Sequence, residues 1–206
     1  MAEQLDYSVD VERQSAEDHI ANLNEEQTAV FNAVTHSAVE KEGHLFFLHG
    51  PAGTGKTFVY NTICCHLQSQ QKIVLCVASS GIAALLLAGG HTAHNHFKVP
   101  LELHEDTTCN IPVTSELAEL ICNTDLIIWD EVPMQSKKVA DAVSHTLGDI
   151  MQNDRPFGGI TVVFGGDFQQ TLPVVVHGTR EEIVQECIQQ STLWQHIEVF
   201  HLHQNM

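Results

Sequence analysis

Positive charge is what this sequence has least of. Nine Lys and Arg stand against 26 Asp and Glu in 206 residues, a formal charge of −17 with histidine neutral. Taken alone, that balance argues against a nucleic-acid partner, whose phosphates are met by Lys and Arg. Seven of the acids (Glu3, Asp6, Asp10, Glu12, Glu17, Asp18, Glu25) crowd into the first 25 residues, so a local groove elsewhere is not forbidden. No apolar run is long enough to span a bilayer, and the acidic, polar N-terminus is no secretory leader. An intracellular protein with no membrane partner is expected, and a monomer. The six cysteines (Cys64, Cys65, Cys76, Cys109, Cys122, Cys187) form no C-x-x-C pair and no framework spacing, which leaves reduced thiols as the expectation. Internal repeats and low-complexity tracts are missing too. At 43% hydrophobic and 17% charged residues, the chain has the composition of a globular domain and not of a disordered one.

What is present is organised around His49-Gly50-Pro51-Ala52-Gly53-Thr54-Gly55-Lys56-Thr57. The stretch follows an apolar run, Leu45–Leu48, and opens an expected helix, Phe58 to Gln68. This is G-x-x-x-x-G-K-[ST] between a strand and a helix. Gly50, Gly53 and Gly55 allow close backbone approach. The loop N–H groups, Thr54 included, and those of the helix start then face one concavity and can meet a polyphosphate. Lys56 would meet the β- and γ-phosphates, and the Thr57 hydroxyl would coordinate Mg²⁺. A nucleoside triphosphate, ATP, is the expected ligand.

Strands and helices alternate along the rest. Residues 1–20 lack apolar periodicity and read as an acidic, flexible leader; residues 21–206 read as one domain. Asn24 caps a helix with Gln27 at the capping-box position. Lys72–Ala78, Leu126–Trp129, Thr161–Phe164 and Val199–Leu202 read as further strands. Ile82–Ala88, Ser115–Cys122, Ser136–Met151 and Arg180–Gln190 read as helices. Residues 91–116 show little period, and 98–116 read as an irregular insertion off the sheet. The alternation implies an α/β fold, a mainly parallel sheet with helices on both faces.

Two further strand ends carry chemistry. Ligands gather at the carboxyl ends of strands in open parallel sheets. Asp130 and Glu131 follow four apolar residues there: Asp130 suits Mg²⁺, directly or through water, and Glu131 suits polarising an attacking water. Gly165-Gly166-Asp167-Phe168-Gln169-Gln170 repeats the design at the next strand end, where a glutamine can sense the γ-phosphate.

Taken together, Leu23–Gln27, Gly50–Thr57, Ala78–Ala84, Leu126–Met134, Arg155–Gly159, Gly165–Val174 and Leu202–Met206 resemble the Pif-one-like DNA helicases of superfamily one, most closely the helicase part of Helitron-type transposon proteins. The resemblance spans about residues 22–206 and implies a RecA-like ATPase domain. By it, Gln27 reads the adenine edge, Lys56 and Thr57 serve phosphate and magnesium, Asp130 and Glu131 hold metal and activate water, and Gln170 senses the γ-phosphate. Ser79, Ser80, Gly81, Thr92, His94 and Phe97 would line a single-stranded DNA track. The family moves 5′→3′ on DNA in repair, recombination, telomere or transposon functions, which makes a nuclear address the implied one.

The departures are specific. The family's last block runs on into an arginine, whereas this chain stops at Met206, and a second RecA-like domain is not found. The arginines are Arg13, Arg155 and Arg180, none in a finger position. The expectation is therefore a first motor domain alone, binding Mg-ATP, hydrolysing it slowly and not unwinding DNA. A decayed copy that only binds nucleotide is the alternative. A small-molecule kinase is disfavoured, because Asp130, Glu131 and Gln170 suit water attack. His91, His94 and His96, with His201 and His203, have the look of a metal cluster but lack a completing Cys or carboxylate. Lys137 and Lys138 read as a solvated helix face, and Cys64 and Cys65 as core thiols.

Overall fold

Period-two alternation along each strand sorts the apolar residues onto the two faces of one sheet. Leu45 and Phe47 of β1 (Leu45–His49) join Leu75 and Val77 of β2 (Val74–Ala78), Ile127 and Trp129 of β4 (Leu126–Asp130), and Val162 and Phe164 of β5 (Thr161–Gly166) in one core. Phe46, Leu48, Val74, Cys76, Ile128 and Val163 point the other way into a second core. Both faces are apolar, as a sheet covered on two sides requires. With the edge strands β3 (His91–Thr92) and β6 (Ile197–His201), the six strands run in the order β3-β2-β4-β5-β1-β6, and all five pairings are parallel. The structure is a computed structural model and describes residues 9–205.

Helices α2 (Glu25–Glu40) and α3 (Lys56–Ser69) cover one face, together with the short α4 (Gly81–Ala84). Helices α6 (Glu116–Cys122) and α7 (Lys137–Met151) cover the other. The helix caps are in place. Asn24 and Gln27 form a reciprocal capping box on α2, and Ser115 and Ser136 accept from the first turns of α6 and α7. Each such cap supplies about 1 kcal/mol.

Five expectations are corrected. Residues 9–20 are not a flexible leader: they form α1 (Val9–Ile20), which lies on α3 with Ala16 buried and the His19 and Phe58 rings 5.2 Å apart. The docking contacts include Ala16, the tilted His19 ring and Ile20, which packs against the second core, with polar residues between them. Residues 1–8 lie outside the described residues. Residues 91–97 are regular, forming β3 and the single turn α5 (Ala93–His96). The irregular stretch beyond them is strapped down and not off the sheet: Val99, Cys109 and Ile111 are buried, and Cys109 N donates to Thr146 Oγ1 at 2.7 Å. Finally, α8 (Arg180–Gln185) ends early, and a separate 3₁₀ turn covers Ile188–Gln190. Lys137 and Lys138 are held there rather than solvated: Lys137 Nζ donates to Gln190 O, and Lys138 pairs with Glu186 at 2.9 Å.

Phe97 is fully buried against Trp129, ring centroids 5.8 Å apart. It is a core residue and not a surface for stacking bases. Phe97→Ala is expected to lower the unfolding free energy by about 3–5 kcal/mol in urea titration; an unchanged midpoint would put the ring at the surface.

Candidate active site

The register places the chemistry. His49 pairs with Gly166, Leu48 with Gly165, and Trp129 with Phe164. The carboxyl ends of β1, β5 and β4 therefore stand side by side, and the three loops leaving them share one edge of the sheet. In the β1 loop, Gly53 and Gly55 have φ of +87° and +83°, a region side-chain-bearing residues rarely enter. Gly55 is the N-cap of α3 and supplies no capping side chain, so the first N–H groups of a 14-residue helix remain available to an anion. A Cβ on Gly50 would fall 2.6 Å from Thr54 Oγ1, and that hydroxyl donates to Pro51 O at 2.8 Å. Lys56 Nζ donates to the carbonyls of Gly50 at 2.6 Å and Pro51 at 3.3 Å, which holds its ammonium inside the loop's curve.

Across β5, Asp130 is 5% exposed and its Oδ1 accepts from Glu131 N at 3.0 Å. Burial raises its pKa; the Glu131 N–H, Lys56 and the Tyr60 hydroxyl pull the other way. Glu131 is half-buried in a left-handed conformation, φ 56°. Burial raises its carboxyl, Asp130 and Asp167 add repulsion, and Lys56 relieves it. A carboxyl whose proton affinity is raised this way can accept a proton from a water, as a general base must. Lys56 acts on both Asp130 and Glu131, and Asp167 on Glu131, so the four charged groups are neighbours at the carboxyl edge of the sheet. Asp130 carboxylate and Thr57 hydroxyl are hard oxygen donors of the kind Mg²⁺ takes, and Thr57 Oγ1 is committed to no hydrogen bond among the described residues. The donor set fits the metal.

At the end of β5, Asp167 is buried and organises the turn. Its Oδ1 accepts from Gln169 N at 2.9 Å, and its carbonyl accepts from Gln170 N at 3.2 Å. Gln170 is exposed on that turn. Asp167 Oδ1 also lies 3.5 Å from His49 Nε2. Burial lowers the His49 pKa; Asp167 opposes that and His201 reinforces it. Sequence reasoning passed over Asp167, His49 and Tyr60 as individuals. The acid after a second strand was the one available signal.

Gln27 is fully buried. Its Oε1 accepts from Asn24 N at 3.0 Å and its Nε2 donates to Thr54 O at 3.1 Å, so it ties α2 to the phosphate loop. The chain after β6 closes over the same place. Leu202 N donates to His49 O at 2.8 Å, His203 N and Nδ1 meet the Glu26 carboxylate at 2.8 and 3.0 Å, and a Cβ on Gly53 would sit 3.5 Å from Asn205 Oδ1. Met206 lies outside the described residues.

Five of the six residues assigned to a DNA track cluster at the ends of β2 and β3, next to β4. Ser79 donates from N and Oγ to Asp130 O at 3.1 and 3.3 Å, and Ser80 Oγ caps α4. Gly81 and His94 are exposed, Thr92 is half-buried, and the His94 ring lies 3.2 Å from Gln135 Nε2. Phe97 does not join them, for the reason given above. The His91 and His96 rings lie 5.4 Å apart, with His94 turned toward Gln135. Among the described residues no group of three or more His, Cys, Asp or Glu is placed to hold a metal. No helix of the described residues is long and apolar enough to cross a membrane.

A family model for PIF1-like helicase matches residues 22–206. The chain is 37% identical over 140 residues to the ATP-dependent DNA helicase Pif1 of Psychrobacter sp. (strain PRwf-1), covering 67% of this chain and 21% of that protein. It is 31% identical over 176 residues to the ATP-dependent DNA helicase RRM3 of Saccharomyces cerevisiae, covering 84% and 23%. The chain thus spans about a fifth of the length of these relatives. Among solved structures, Pif1 helicase from Bacteroides in complex with ADP-AlF3 and ssDNA superposes with a TM-score of 0.75 at 25% identity, covering 89% of this chain and 42% of that one. Pif1 helicase from Candida albicans gives 0.71 at 27%, covering 89% and 40%. The fold is RecA-like, as the resemblance implied.

The charge of Asp130 is held at a cost to folding. Its folded pKa is raised from 3.8, so the contribution is unfavourable at neutral pH and recovers as pH falls through the folded value. Asp130→Asn is expected to raise the thermal midpoint at pH 7, by about 2–4 °C for each kcal/mol relieved. The gain should shrink as pH falls toward the ordinary Asp value. Calorimetry at several pH values checks this; a lowered midpoint at pH 7 would contradict it.

Proposed function

The chain belongs to the PIF1-like helicase family, and from that premise we propose that it is the ATP-binding motor portion of a DNA helicase, coupling ATP hydrolysis to movement on single-stranded DNA. The observation that carries the reading is the meeting of the phosphate loop, Lys56, Asp130 and Glu131 at the carboxyl edge of the sheet, where β1, β5 and β4 end side by side. Lys56 and the N–H groups of Gly53, Thr54, Gly55 and the first turn of α3 hold the triphosphate. Thr57 and Asp130 hold Mg²⁺, which when bound neutralises charge on the phosphates. Glu131 orients a water and takes its proton, while Gln170 reads the γ-phosphate from the β5 turn. Gln27 faces the adenine edge through the donor hydrogen not spent on Thr54, with its hold on the loop as the coupling between base and phosphate.

The DNA edge is Ser79, Ser80, Gly81, Thr92 and His94. In support, Ser79 bonds directly to the backbone of Asp130, so strand position is felt at the metal-holding acid. By its resemblance to the family we read the movement as 5′→3′, in repair, recombination or transposition, with a nuclear address. The arginines lie elsewhere: Arg13 pairs with Asp10, Arg155 bonds the Glu42 carbonyl at the far end of β1, and Arg180 starts α8. An arginine finger contributes about a thousandfold or more in rate, so the chain as given hydrolyses ATP slowly and does not unwind duplex DNA. The alternative, a copy that binds nucleotide without turnover, differs only in having no hydrolysis above background.

Steady-state phosphate release with and without single-stranded DNA tests this. Slow Mg²⁺-dependent turnover is expected in the unaltered chain. Lys56→Ala should weaken nucleotide binding at least tenfold, by about 1.4 kcal/mol or more. Glu131→Gln should keep binding and lose about a hundredfold or more in turnover. Turnover unaffected by either change would overturn the assignment, and fast DNA-stimulated turnover would overturn the statement about the arginines.

A further inference from the structure

One buried hydroxyl beside the site has no role in the steps above. Tyr60 lies on α3, one helical turn past Thr57, and is fully buried. Its hydroxyl has no hydrogen-bond partner within ordinary geometry among the described residues, which is costly for a polar atom away from water. Yet the hydroxyl is aimed at one place. A Cβ on Gly165 would fall 1.7 Å from Tyr60 Oη and 2.8 Å from Asp130 Oδ1. Two oxygens from different elements thus converge over the one position of β5 that carries no side chain. Gly165 is needed here for space: any larger residue would collide with both. A phenol carries its proton at neutral pH and can donate it. It faces Asp130 as a donor.

We propose that Tyr60 is a positioning residue for Asp130. Its hydroxyl donates to Oδ1, beside the Glu131 N–H, and fixes the carboxylate so that its other oxygen faces the Mg²⁺ of bound nucleotide. The proposal rests on the reading that Asp130 holds that metal. Tyr60 and Thr57 share one face of α3 at i,i+3 spacing. The helix that brings the hydroxyl donor to the metal therefore also braces the carboxylate donor, and the two cannot drift apart. Partners of ligating carboxylates commonly contribute about tenfold or more to metal affinity.

The test is Mg²⁺-dependent binding of a fluorescent ADP, measured without reference to turnover. Asp130→Asn should abolish the dependence on Mg²⁺. If it does not, the metal assignment fails and the proposal with it. Tyr60→Phe, which keeps the ring, should raise the half-saturating Mg²⁺ about tenfold and leave metal-free ADP affinity unchanged. It should add nothing in the Asp130→Asn background. With Asp130→Asn behaving as expected, a Tyr60→Phe chain that matches the unaltered one, or loses metal-free and metal-bound affinity alike, overturns the role of Tyr60 alone. Should Tyr60→Phe fail to fold, a second measurement decides. In Tyr7→Phe chain labelled with 3-fluorotyrosine, Tyr60 is the remaining one of the chain's 2 tyrosines. Its ¹⁹F resonance should shift when Mg²⁺ is added to the ADP complex. No shift would overturn the proposal.

Discussion

The structure depends on keeping negative charge out of water next to one ammonium group. Asp130 and Glu131 are consecutive acids at the end of a buried strand; burial raises the pKa of both, and Asp130 adds to that of Glu131. Lys56 is the cation common to both, held in place by the carbonyls of Gly50 and Pro51. Unpaired acids in such a place would take up protons instead of staying charged. The arrangement therefore stores unfavourable electrostatics that a divalent cation and a polyphosphate would redistribute, and everything else in the fold serves to hold its parts in register.

That service begins in the sheet. Parallel pairing in the order β2-β4-β5-β1 brings the ends of three chemically loaded strands to one level. Glycine at 165 and 166 lets the acid, Tyr60 and Pro133 crowd over β5. On the outer side, Ser79 ties the end of β2 to the carbonyl of Asp130, and His94 approaches Gln135 just beyond it. On the inner side, Gln27 and the Glu26–His203 pair bind α2 and the segment after β6 to the phosphate loop. The edge of the sheet that carries the loop and the acid pair is thus framed by contacts from four separate stretches of chain. A shift in any one of them is transmitted to the loop or to the acid pair through hydrogen bonds of ordinary length.

Five of the six strands, the phosphate loop and the acid pair were legible in the sequence because each depends on local pattern: apolar runs of strand length, glycines at fixed spacing, acids just past a buried strand; the two-residue β3 is too short to leave one. Caps at Asn24 and Ser115 were legible for the same reason. The misses share a different cause. Helix α1 docks through Ala16, His19 and Ile20, a short patch set among polar residues. Phe97 occurs in a segment rich in His and Thr, and only the tertiary packing on Trp129 makes it core. Lys137 and Lys138 are held by Gln190 and Glu186, far away in sequence. Tyr60 sits at a position where an apolar helix residue is expected, and its hydroxyl acquires meaning only once Gly165 and Asp130 arrive from other strands.

The central claim is that the loop of Gly50–Thr57 and the acid pair form one receptacle for triphosphate and metal. The most direct measurement is a crystal structure of this chain grown with Mg²⁺ and ADP plus a phosphate mimic. The account predicts phosphates on the N–H groups at the start of α3, and Mg²⁺ about 2.0–2.1 Å from the Thr57 hydroxyl with the Asp130 carboxylate in its immediate surroundings. Nucleotide bound elsewhere on the molecule, or a metal with neither Thr57 nor Asp130 beside it, would contradict it.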